Sequence, residues 1–462
     1  MIYYLYITAQ KSCRVIENGI MENLELPYSV AAGKSHSIFI DNDGRVHGAG
    51  SNIRGQLGFA VKNKFRDTPQ LTPLADKKIL AVSCGVHSLF LDGEGQVWSC
   101  GLNTDHQLGH EEQGISKVEG IDTPVILIVA GYNFSLFLDE NGVVWSCGDN
   151  EFGQLGFADS KTRNIPEAIK NLPKIKAIAA GNGFSAFLDV EGCVWSTGWK
   201  TNPVAIQKLD ANYLPPLNVI AATHDSLYTV DQEGNVWYAQ KRDGREFPRL
   251  VFNKVFPNLK NVKFIACGKD HALILLENGE VYGVGDNQYG QLGFPFQQEK
   301  LKATFKEEVR ENLKVKKEEL EEEAAGEENE GKEAKAQVDG NSYGPILNPP
   351  RSCRYDRNQG CLLLDEDFLD NQPLTIAELP IPSSRVEEPV KINVPKIVYL
   401  STFYQHSILL DHCGEVWVCG RNTYTQLGLG NHHHSYHPVK NQNLPVIKTK
   451  FGIQKVRVAA NN

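Results

Sequence analysis

Apolar and polar positions along this 462-residue chain follow a short pattern that recurs seven times. In residues 82–103, a turn of small residues leads into an apolar run at 88–91. Acidic and glycine residues occupy 92–95, and a second apolar run at 97–100 ends at Gly101. Two short apolar runs joined by a tight glycine-containing turn predict a β-hairpin.

Every copy of the hairpin keeps the same register. The first run opens with a histidine, a phenylalanine or a serine, at His36, His87, Phe134, Phe184, Ser226, His271 and His406. A glycine follows eight residues later in each copy, and a valine stands two residues beyond it. The first six copies are spaced 42 to 52 residues apart, which is typical of propeller blades made of short strands. We therefore predict an all-β, seven-bladed β-propeller, with eight blades as the alternative if an N-terminal strand adds one.

A long insertion separates the sixth copy from the seventh. Residues 299–340 carry fourteen acidic and nine basic side chains, and apolar residues four apart predict a short amphipathic helix at 301–313. The acidic residues that follow predict disorder, because they cannot bury enough apolar surface. The predicted domains are propeller repeats one to six with an N-terminal closing strand at 1–296, an acidic low-complexity insertion, partly helical and partly disordered, at 297–384, and repeat seven with a C-terminal closing strand at 385–462.

The two ends of the chain are expected to complete the ring. The opening residues, MIYYLYITAQ, are apolar but too short to cross a bilayer, and they lack the basic flank of a signal peptide. We interpret them as a strand. Residues 456–462 repeat the start of a blade without a following hairpin. We predict that N- and C-terminal strands share one blade and seal the ring, which would remove exposed sheet edges.

Composition narrows the class of protein. Forty-one glycines and twenty-two prolines fit many turns, and 41% apolar residues suffice for a core. The net charge of −9 argues against general affinity for nucleic acid or membrane, because both need basic patches. Cysteines recur in the repeated strands or beside their turns, and we predict buried thiols at Cys84, Cys100, Cys147, Cys267 and Cys419. Without CxxC pairs, they favour the cytoplasm, with the nucleus as the alternative.

A tetrapeptide that follows the hairpins points to a family. Gly-Gln-Leu-Gly occurs at residues 55–58, 153–156 and 290–293, with variants at 106–109 and 425–428. Together with the turn AAGKSHS, the hairpin DNDG and a Gly-x-Asn after the second run, it resembles the repeat of the regulator of chromosome condensation family. The resemblance covers roughly residues 25–295 and 385–460. It implies a seven-bladed β-propeller.

The repeated residues have structural roles in this interpretation. Turn glycines allow positive φ, the leucine of the tetrapeptide and the aromatic residue after the valine supply apolar contact between blades, and the preceding asparagine bonds local backbone. A lone His36, His87, His271 or His406 would suggest a ligand or a general base. Because they recur at equivalent positions, they are spread round a ring, and we predict that they are structural.

Candidate chemistry elsewhere is sparse. His432, His433, His434 and His437 form a dense cluster that suits zinc or nickel, but no cysteine or carboxylate at ligand spacing accompanies them. We expect ordinary surface histidines. Neither HExxH nor GxSxG occurs. We expect a protein that is not an enzyme and that uses no cofactor and no metal.

Repeats four and five depart from the pattern. Both lack Gln-Leu-Gly, so their connecting loops at 199–217 and 238–256 are released from the common turn. Variable loops on a rigid scaffold are where partner contacts are commonly found. The candidate partner-binding residues are Trp199, Lys241, Arg242, Arg245 and Phe247. Sequence drift without function is the alternative.

The family resemblance implies several functions. Its founding member is a guanine nucleotide exchange factor for the Ran GTPase and binds nucleosomes through a basic tail and an insertion in an early blade; here the insertion is late and acidic. The ultraviolet-B photoreceptor of plants uses tryptophans near the turn before the hairpin. At the second position of that turn this chain has Lys34, Val86, Tyr132, Asn182, His224, Lys269 and Tyr404.

We therefore expect a non-catalytic protein-interaction scaffold or regulator. Its partners are expected to be proteins, with a small GTPase as one candidate, and neither nucleic acid nor membrane. The ring is expected to be monomeric. The alternative is guanine nucleotide exchange on a Ran-like small GTPase.

Overall fold

The structure is a computed structural model that describes residues 30–60, 64–74, 77–112, 114–198, 206–209, 214–240, 252–294, 384–445 and 447, with the backbone of five further short strands. The chain divides into two compact units, residues 1–296 with 384–462, and residues 297–383. The helix expected at 301–313 lies outside the described residues. Nothing in the described part forms a helix that is long and apolar enough to cross a bilayer.

The first unit contains seven antiparallel sheets of four strands, which confirms the seven-bladed β-propeller. Blade one comprises Val30–Ala32, His36–Ile40, Val46–Ser51 and Phe65–Leu71. Blade two comprises Ile79–Cys84, His87–Asp92, Val97–Gly101 and Ser116–Lys117. Blade three comprises Val125–Ala130, Phe134–Asp139, Val144–Gly148 and Arg163–Ala168. Blade four comprises Ile175–Ala180, Phe184–Asp189, Val194–Gly198 and Gln207–Lys208.

The remaining blades follow the same order. Blade five comprises Leu217–Ala222, Ser226–Asp231, Val236–Gln240 and Asn253–Val255. Blade six comprises Val262–Cys267, His271–Leu276, Val281–Asp286 and Arg385–Lys391. Blade seven comprises Ile397–Phe403, His406–Asp411, Val416–Gly420 and Ser435–Lys440. Because successive strands are antiparallel, the turns between first and second strands share one face of the ring with the connections between third and fourth strands. We call this the mouth face; the hairpin turns lie on the opposite face.

The insertion interrupts blade six. Its third strand, Val281–Asp286, pairs with Arg385–Lys391 in an antiparallel register that joins Gly283 to Val390. The sequence had assigned everything from residue 385 onward to repeat seven, whereas this strand completes blade six. Residues 297–383 thus fall between the third and fourth strands of blade six in the chain.

The ring closes differently from the sequence prediction. Blade seven packs on blade one in a cluster that holds Phe39 beside Ile408 and Leu410, and both blades have four strands of their own. The terminal strands Cys13–Glu17, Ile20–Leu24 and Gln454–Val456 form a separate three-stranded sheet. The predicted shared blade is therefore not one of the seven. The MIYYLYITAQ strand lies outside the described residues.

The core lies between blades. All residues of the seven second strands are buried, and each apolar cluster combines neighbouring blades, as where Ile38 of blade one meets Phe90 of blade two. The leucine of each tetrapeptide is buried as predicted, at Leu57, Leu108, Leu155, Leu292 and Leu427. The fourth strands are largely exposed or half-buried, so packing energy is concentrated near the inner strands.

An aspartate organises each hairpin except that of blade six. In blade two, the Asp92 Oδ1 atom accepts the backbone N–H groups of Glu94 and Gln96, each at 3.0 Å, while Oδ2 accepts the indole N–H of Trp98 at 2.9 Å. Gly95 completes the turn with φ 79°, as the sequence predicts. The aromatic residue, expected only to supply apolar contact, also donates this hydrogen bond. An aspartate six residues before the aromatic residue was the overlooked signal.

Candidate interaction surface at the channel mouth

The predicted partner-binding residues cannot be placed. Trp199, Lys241, Arg242, Arg245 and Phe247 all lie outside the described residues. By chain position, they belong to the connections between third and fourth strands of blades four and five. Their role stays a prediction.

The four histidines that stand at the first position of a second strand are structural, as predicted. We call this first position the slot. The His36 Nε2 atom lies 2.8 Å from Ser88 Oγ of the next blade, and Ser88 Oγ donates to the backbone oxygen of Gln56 at 2.7 Å. The same arrangement joins blade two to three, six to seven and seven to one, through His87, His271 and His406. We call this the serine latch. Four of the five blades that carry the tetrapeptide have this histidine, and blade three has Phe134 in its place.

The latch defines the protonation state of these histidines. The serine has a single hydroxyl proton, which it donates to the glutamine carbonyl, so the histidine Nε2 must carry a proton and donate to the serine oxygen. Each Nδ1 atom is buried without a hydrogen-bond partner. Burial lowers the pKa of His36, His87 and His406 to about 3 and that of His271 to about 4. These imidazoles are neutral at physiological pH.

Three junctions lack the complete serine latch. Between blades three and four, Phe134 replaces the histidine, and Ser185 still donates to the Gln154 carbonyl at 2.6 Å. Between blades four and five, Phe184 takes the place of the histidine and Leu227 that of the serine. Between blades five and six, the corresponding residues are Ser226 and Ala272. Blade five is therefore flanked on both sides by junctions without the latch.

The cysteines agree largely with the prediction. Cys84, Cys100, Cys147 and Cys419 are buried free thiols, whereas Cys267 is half-buried. Burial raises the pKa of the Cys84 and Cys419 thiols to about 12. Such thiols are poor nucleophiles at neutral pH.

Within the histidine cluster at 432–437, His434 makes contacts that stabilise the loop in which it lies. The His434 Nδ1 atom accepts the backbone N–H of Asn422 at 3.0 Å, and its ring meets Tyr289 edge-on at 5.1 Å. Within the described residues, groups of three potential ligands converge at 411–413 and at Asp189, Glu191 and Cys193. Both are hairpin turns in which the aspartate already binds backbone N–H groups. We therefore assign no metal site.

The first strands of the blades line a cavity on the axis of the ring. Its volume is about 160 Å³, and small or branched apolar residues form much of its wall, including Ala31, Val82, Ala221, Ile265 and Leu400. The cavity can hold an apolar group.

Polar residues surround the end of this cavity on the mouth face. They occupy the second position of the turns between first and second strands. From the sequence, this position is distinguished only by its lack of tryptophan. Backbone hydrogen bonds join several of these turns: the Asn182 N–H donates to His224 O, His224 to Lys269 O, and Lys269 to Tyr404 O, at 3.1, 3.0 and 2.9 Å. These bonds join the turns of blades four to seven in one row. We call the second positions of all seven turns the rim.

Two lysines and two tyrosines form the most polar part of the rim. The Lys34 Nζ atom donates to Tyr132 Oη at 2.5 Å and lies 5.6 Å from the ring centroid of Tyr404. Lys269 Nζ lies 5.7 Å from the same centroid and 3.4 Å from Asp270. Cations near aromatic faces are attracted by the ring quadrupole. We call Lys34, Tyr132, Lys269 and Tyr404 the mouth cluster.

Tyr404 has an unfavourable backbone conformation. Phe403 pairs with His406 across a two-residue turn, and Tyr404 adopts φ 52° there. Such turns favour glycine at this position, because L-residues with side chains rarely adopt positive φ. The side chain is therefore retained at a cost, which is a feature of functional sites.

Further aromatic and cationic groups extend this surface outward. The Arg421 guanidinium donates to the side chain of Gln405 at 2.8 Å and lies 5.3 Å and 5.8 Å from the rings of Tyr289 and Tyr424. Arginine and tyrosine are enriched where proteins bind each other. The mouth face thus combines charge and aromatic surface in a manner suited to recognition.

Two models of the Regulator of chromosome condensation (RCC1) repeat match the chain. One matches residues 28–56, 125–154 and 262–291, and the other matches residues 43–91, 94–138, 141–188 and 413–458. Residues 189–261, which include blade five, lie between these matches. The comparison therefore agrees with the departure of repeats four and five from the pattern.

Relatives share parts of the chain. The probable E3 ubiquitin-protein ligase HERC6 of Homo sapiens is 29% identical over 274 residues, which are 57% of this chain and 19% of that protein. Protein pim1 of Schizosaccharomyces pombe is 34% identical over 109 residues, 22% of this chain and 20% of that protein. The matched regions thus span about a fifth of these relatives' length.

Solved structures share the fold. Prp20p of Saccharomyces cerevisiae superposes with a TM-score of 0.61 at 18% identity, covering 94% of this chain and 88% of that one. Human WBSCR16 superposes with a TM-score of 0.58 at 18% identity, covering 85% and 90%. The superpositions cover most of both chains in each case, and the likeness concerns the fold alone.

Proposed function

The chain belongs to the regulator of chromosome condensation repeat family, and from that membership we propose that it is a non-catalytic protein-interaction scaffold or regulator that binds partners through its mouth face. The buried slot and latch positions repeat in most blades, whereas the rim position, which is half-buried except at the buried Val86, differs among lysine, valine, tyrosine, asparagine and histidine. This contrast between a repeated interior and a varied rim is the observation that carries the proposal, because a rigid ring presents differing side chains to a partner.

The relatives support protein binding as the general activity. The structure of Prp20p was determined with an account of its binding to Gsp1p and histones, and another structure contains Kap60 bound to the same yeast protein. Those partners are properties of Prp20p. For this chain, they support a propeller that acts by association with other proteins.

Affinity capture from a lysate of the source cell tests the proposal. The full chain is compared with a variant that combines Lys34→Glu and Lys269→Glu, and with Lys174→Glu as the matched control. Lys174 is exposed in a connection on the opposite face. We expect stoichiometric, saturable partners that the double variant loses and the control retains, with unchanged circular dichroism. Absence of any saturable partner, or equal loss with the control, would refute the proposal.

The acidic insertion requires its own comparison. Replacing residues 297–383 by a short linker leaves the blade strands in place, because the fourth strand of blade six begins at Arg385. Partners lost with the insertion would assign recruitment to it. Partners retained or gained would assign binding to the ring and make the insertion a spacer or a cover.

The second candidate function is guanine nucleotide exchange on a Ran-like small GTPase. It is favoured by the family resemblance and by the shared propeller fold. An exchange factor opens the nucleotide site repeatedly, so catalytic amounts of the chain should accelerate the release of labelled GDP. Chelation of magnesium provides the positive control. Release at the intrinsic rate across several GTPases would reject exchange while leaving the scaffold proposal intact.

A further inference from the structure

The mouth cluster places positive charge directly above an apolar cavity. Lys34 and Lys269 lie on the rim, 5.6 Å and 5.7 Å from the centroid of the Tyr404 ring. Below them, the first strands enclose about 160 Å³ with walls of small apolar side chains. A ligand that satisfies both regions has an anionic group at one end and an apolar group within one or two bonds of it.

We propose that the channel mouth captures the C-terminal end of a partner polypeptide. Its terminal carboxylate binds Lys34 and Lys269, and its last side chain, which is apolar, enters the axial cavity. This inference rests on the proposed interaction function and names the part of the partner that is recognised.

The lysines retain the capacity to bind a carboxylate. An ammonium group has three donors, so Lys34 can hold Tyr132 and an anion together. Lys269 lies 3.4 Å from Asp270, which is longer than a good charged hydrogen bond. Both side chains are long and flexible, and their ammonium groups flank one tyrosine. A single carboxylate beside that tyrosine is within reach of both.

The cavity suits one side chain. A protein cavity of about 150 Å³ accepts a benzene molecule, and the axial cavity measures about 160 Å³. A phenylalanine or leucine side chain therefore fits. The terminal residue of a chain is also the one residue whose carboxylate and side chain leave the same carbon. An internal aspartate or glutamate would bring charge without an apolar group for the cavity.

Tyr404 supplies an independent indication. Its φ of 52° lies in the region that glycine adopts without strain. Glycine would close the two-residue turn more easily, yet the chain has a tyrosine whose ring centroid lies 5.6 Å from Lys34 Nζ and 5.7 Å from Lys269 Nζ. We assign Tyr404 the role of holding both ammonium groups at the rim.

Selection from random heptapeptides with free C-termini tests the inference on the full chain. The enriched peptides are resynthesised as free acids and as amides, and binding is measured by fluorescence anisotropy. We expect enrichment of phenylalanine, leucine or a similar residue at the last position. The amides should bind at least about tenfold more weakly, because a charge-assisted contact is lost.

Variants locate the site. Lys34→Met and Lys269→Met should each weaken binding of the free acid by at least about tenfold, whereas Lys174→Met should leave it unchanged. Tyr404→Gly should weaken binding while the thermal midpoint stays the same or rises. That variant keeps the test valid if either lysine variant folds poorly.

Several results would overturn the inference. Equal binding of acids and amides would indicate an internal segment as the ligand, and no preference at the last position would exclude the cavity. Octanoate that binds as tightly as the best peptide would assign the site to a small carboxylate. If captured cellular partners survive the double variant Lys34→Met and Lys269→Met, the interaction function stands and this inference fails. If the intact chain captures no partner, it is the proposed function that fails.

Discussion

The serine latch shows how single residues hold neighbouring blades together. Ser135 accepts a hydrogen bond from His87 at 2.7 Å and donates one to the Gln107 carbonyl at 2.7 Å, so one hydroxyl satisfies two buried groups of blade two. At Gly33, an added Cβ would lie 2.3 Å from Cε1 of His36. The histidine ring therefore covers the turn, as Phe134, Phe184 and His271 cover the turns at Gly131, Gly181 and Gly268.

Removing the serine should cost more than removing the histidine. Ser135→Ala leaves the His87 N–H buried without a partner and leaves the Gln107 carbonyl with only the weak Cys147 thiol donor at 3.8 Å. We expect a loss of about 1–3 kcal/mol. His87→Phe places the residue that blades three and four use, removes an unpartnered Nδ1 atom and keeps the bond from Ser135 to Gln107. We expect a change below about 1 kcal/mol. Urea unfolding monitored by tryptophan fluorescence measures both; a larger loss for His87→Phe would contradict the latch.

The same histidines make stability depend on pH. Burial lowers the pKa of His87 to about 3 in the folded chain, against 6.5 for the unfolded chain. Below pH 6.5 the unfolded state binds a proton that the folded state does not bind. The contribution of neutral His87 to stability is therefore complete above pH 6.5 and is lost as the pH falls towards 3. In that range, each such histidine should lower the free energy of unfolding by about 1.4 kcal/mol for every unit by which the pH falls.

His87→Phe provides the measurement for this pH dependence. Its unfolding free energy between pH 6 and pH 4.5 should fall less steeply than that of the parent chain, by about 1.4 kcal/mol per pH unit. Above pH 7 the two chains should show parallel curves. Identical slopes below pH 6 would show that the imidazole is protonated in the folded state.

At the scale of the element, the hairpin is organised by one carboxylate. Asp92, Asp139, Asp189, Asp231 and Asp411 each accept two backbone N–H groups and one indole N–H. Blade one has His47 in place of tryptophan, and its Nε2 atom lies 3.0 Å from Asp41 Oδ2. Blade six has Leu276 in place of aspartate, and there Tyr282, which has no ring N–H, replaces tryptophan. The carboxylate is thus present in every blade whose aromatic residue carries a ring N–H.

This pairing predicts coupled substitutions. Asp92→Asn would turn an amide donor towards the Trp98 N–H, and we expect a loss of about 1–3 kcal/mol. Trp98→Phe removes the opposing donor, so the double variant should be more stable than the sum of the single losses predicts. A double-mutant cycle from urea midpoints measures the coupling, and a coupling energy of zero would refute it.

At the scale of the whole molecule, the ring is not equally secured around its circumference. The four successive junctions that join blades six, seven, one, two and three carry the complete latch, whereas both junctions of blade five lack it. Blade five still packs through apolar clusters, where Leu227 meets blade four and Val230 meets blade six. Apolar contact is less directional than a buried hydrogen-bond network.

Hydrogen exchange should reveal this difference. We expect backbone amides in the second strand of blade five, Ser226–Asp231, to exchange faster than those in His87–Asp92, because local opening follows the weakest junctions. Mass spectrometry of peptides from both strands at one pH measures this. Equal protection of the two strands would indicate that the latch adds nothing to cooperativity across the ring.

Much of the fold follows from local pattern. The register of the slot, the turn glycine and the valine predicts every hairpin, and the period of the copies predicts seven blades, because side-chain alternation and glycine conformations act over a few residues. The strand Arg385–Lys391 escaped prediction because its partner, Val281–Asp286, lies about a hundred residues earlier. Pairing over that distance leaves no local signal.

The candidate site shows the converse. The residue pattern shows that the rim residues differ among the repeats and that the slot histidines share one structural position. The approach of Lys34 and Lys269 to the same Tyr404 ring above an apolar cavity is seen only in the folded ring, because these residues come from blades one, six and seven. Closing a ring brings distant turns to one axis, and no pattern within a single repeat records which side chains meet there.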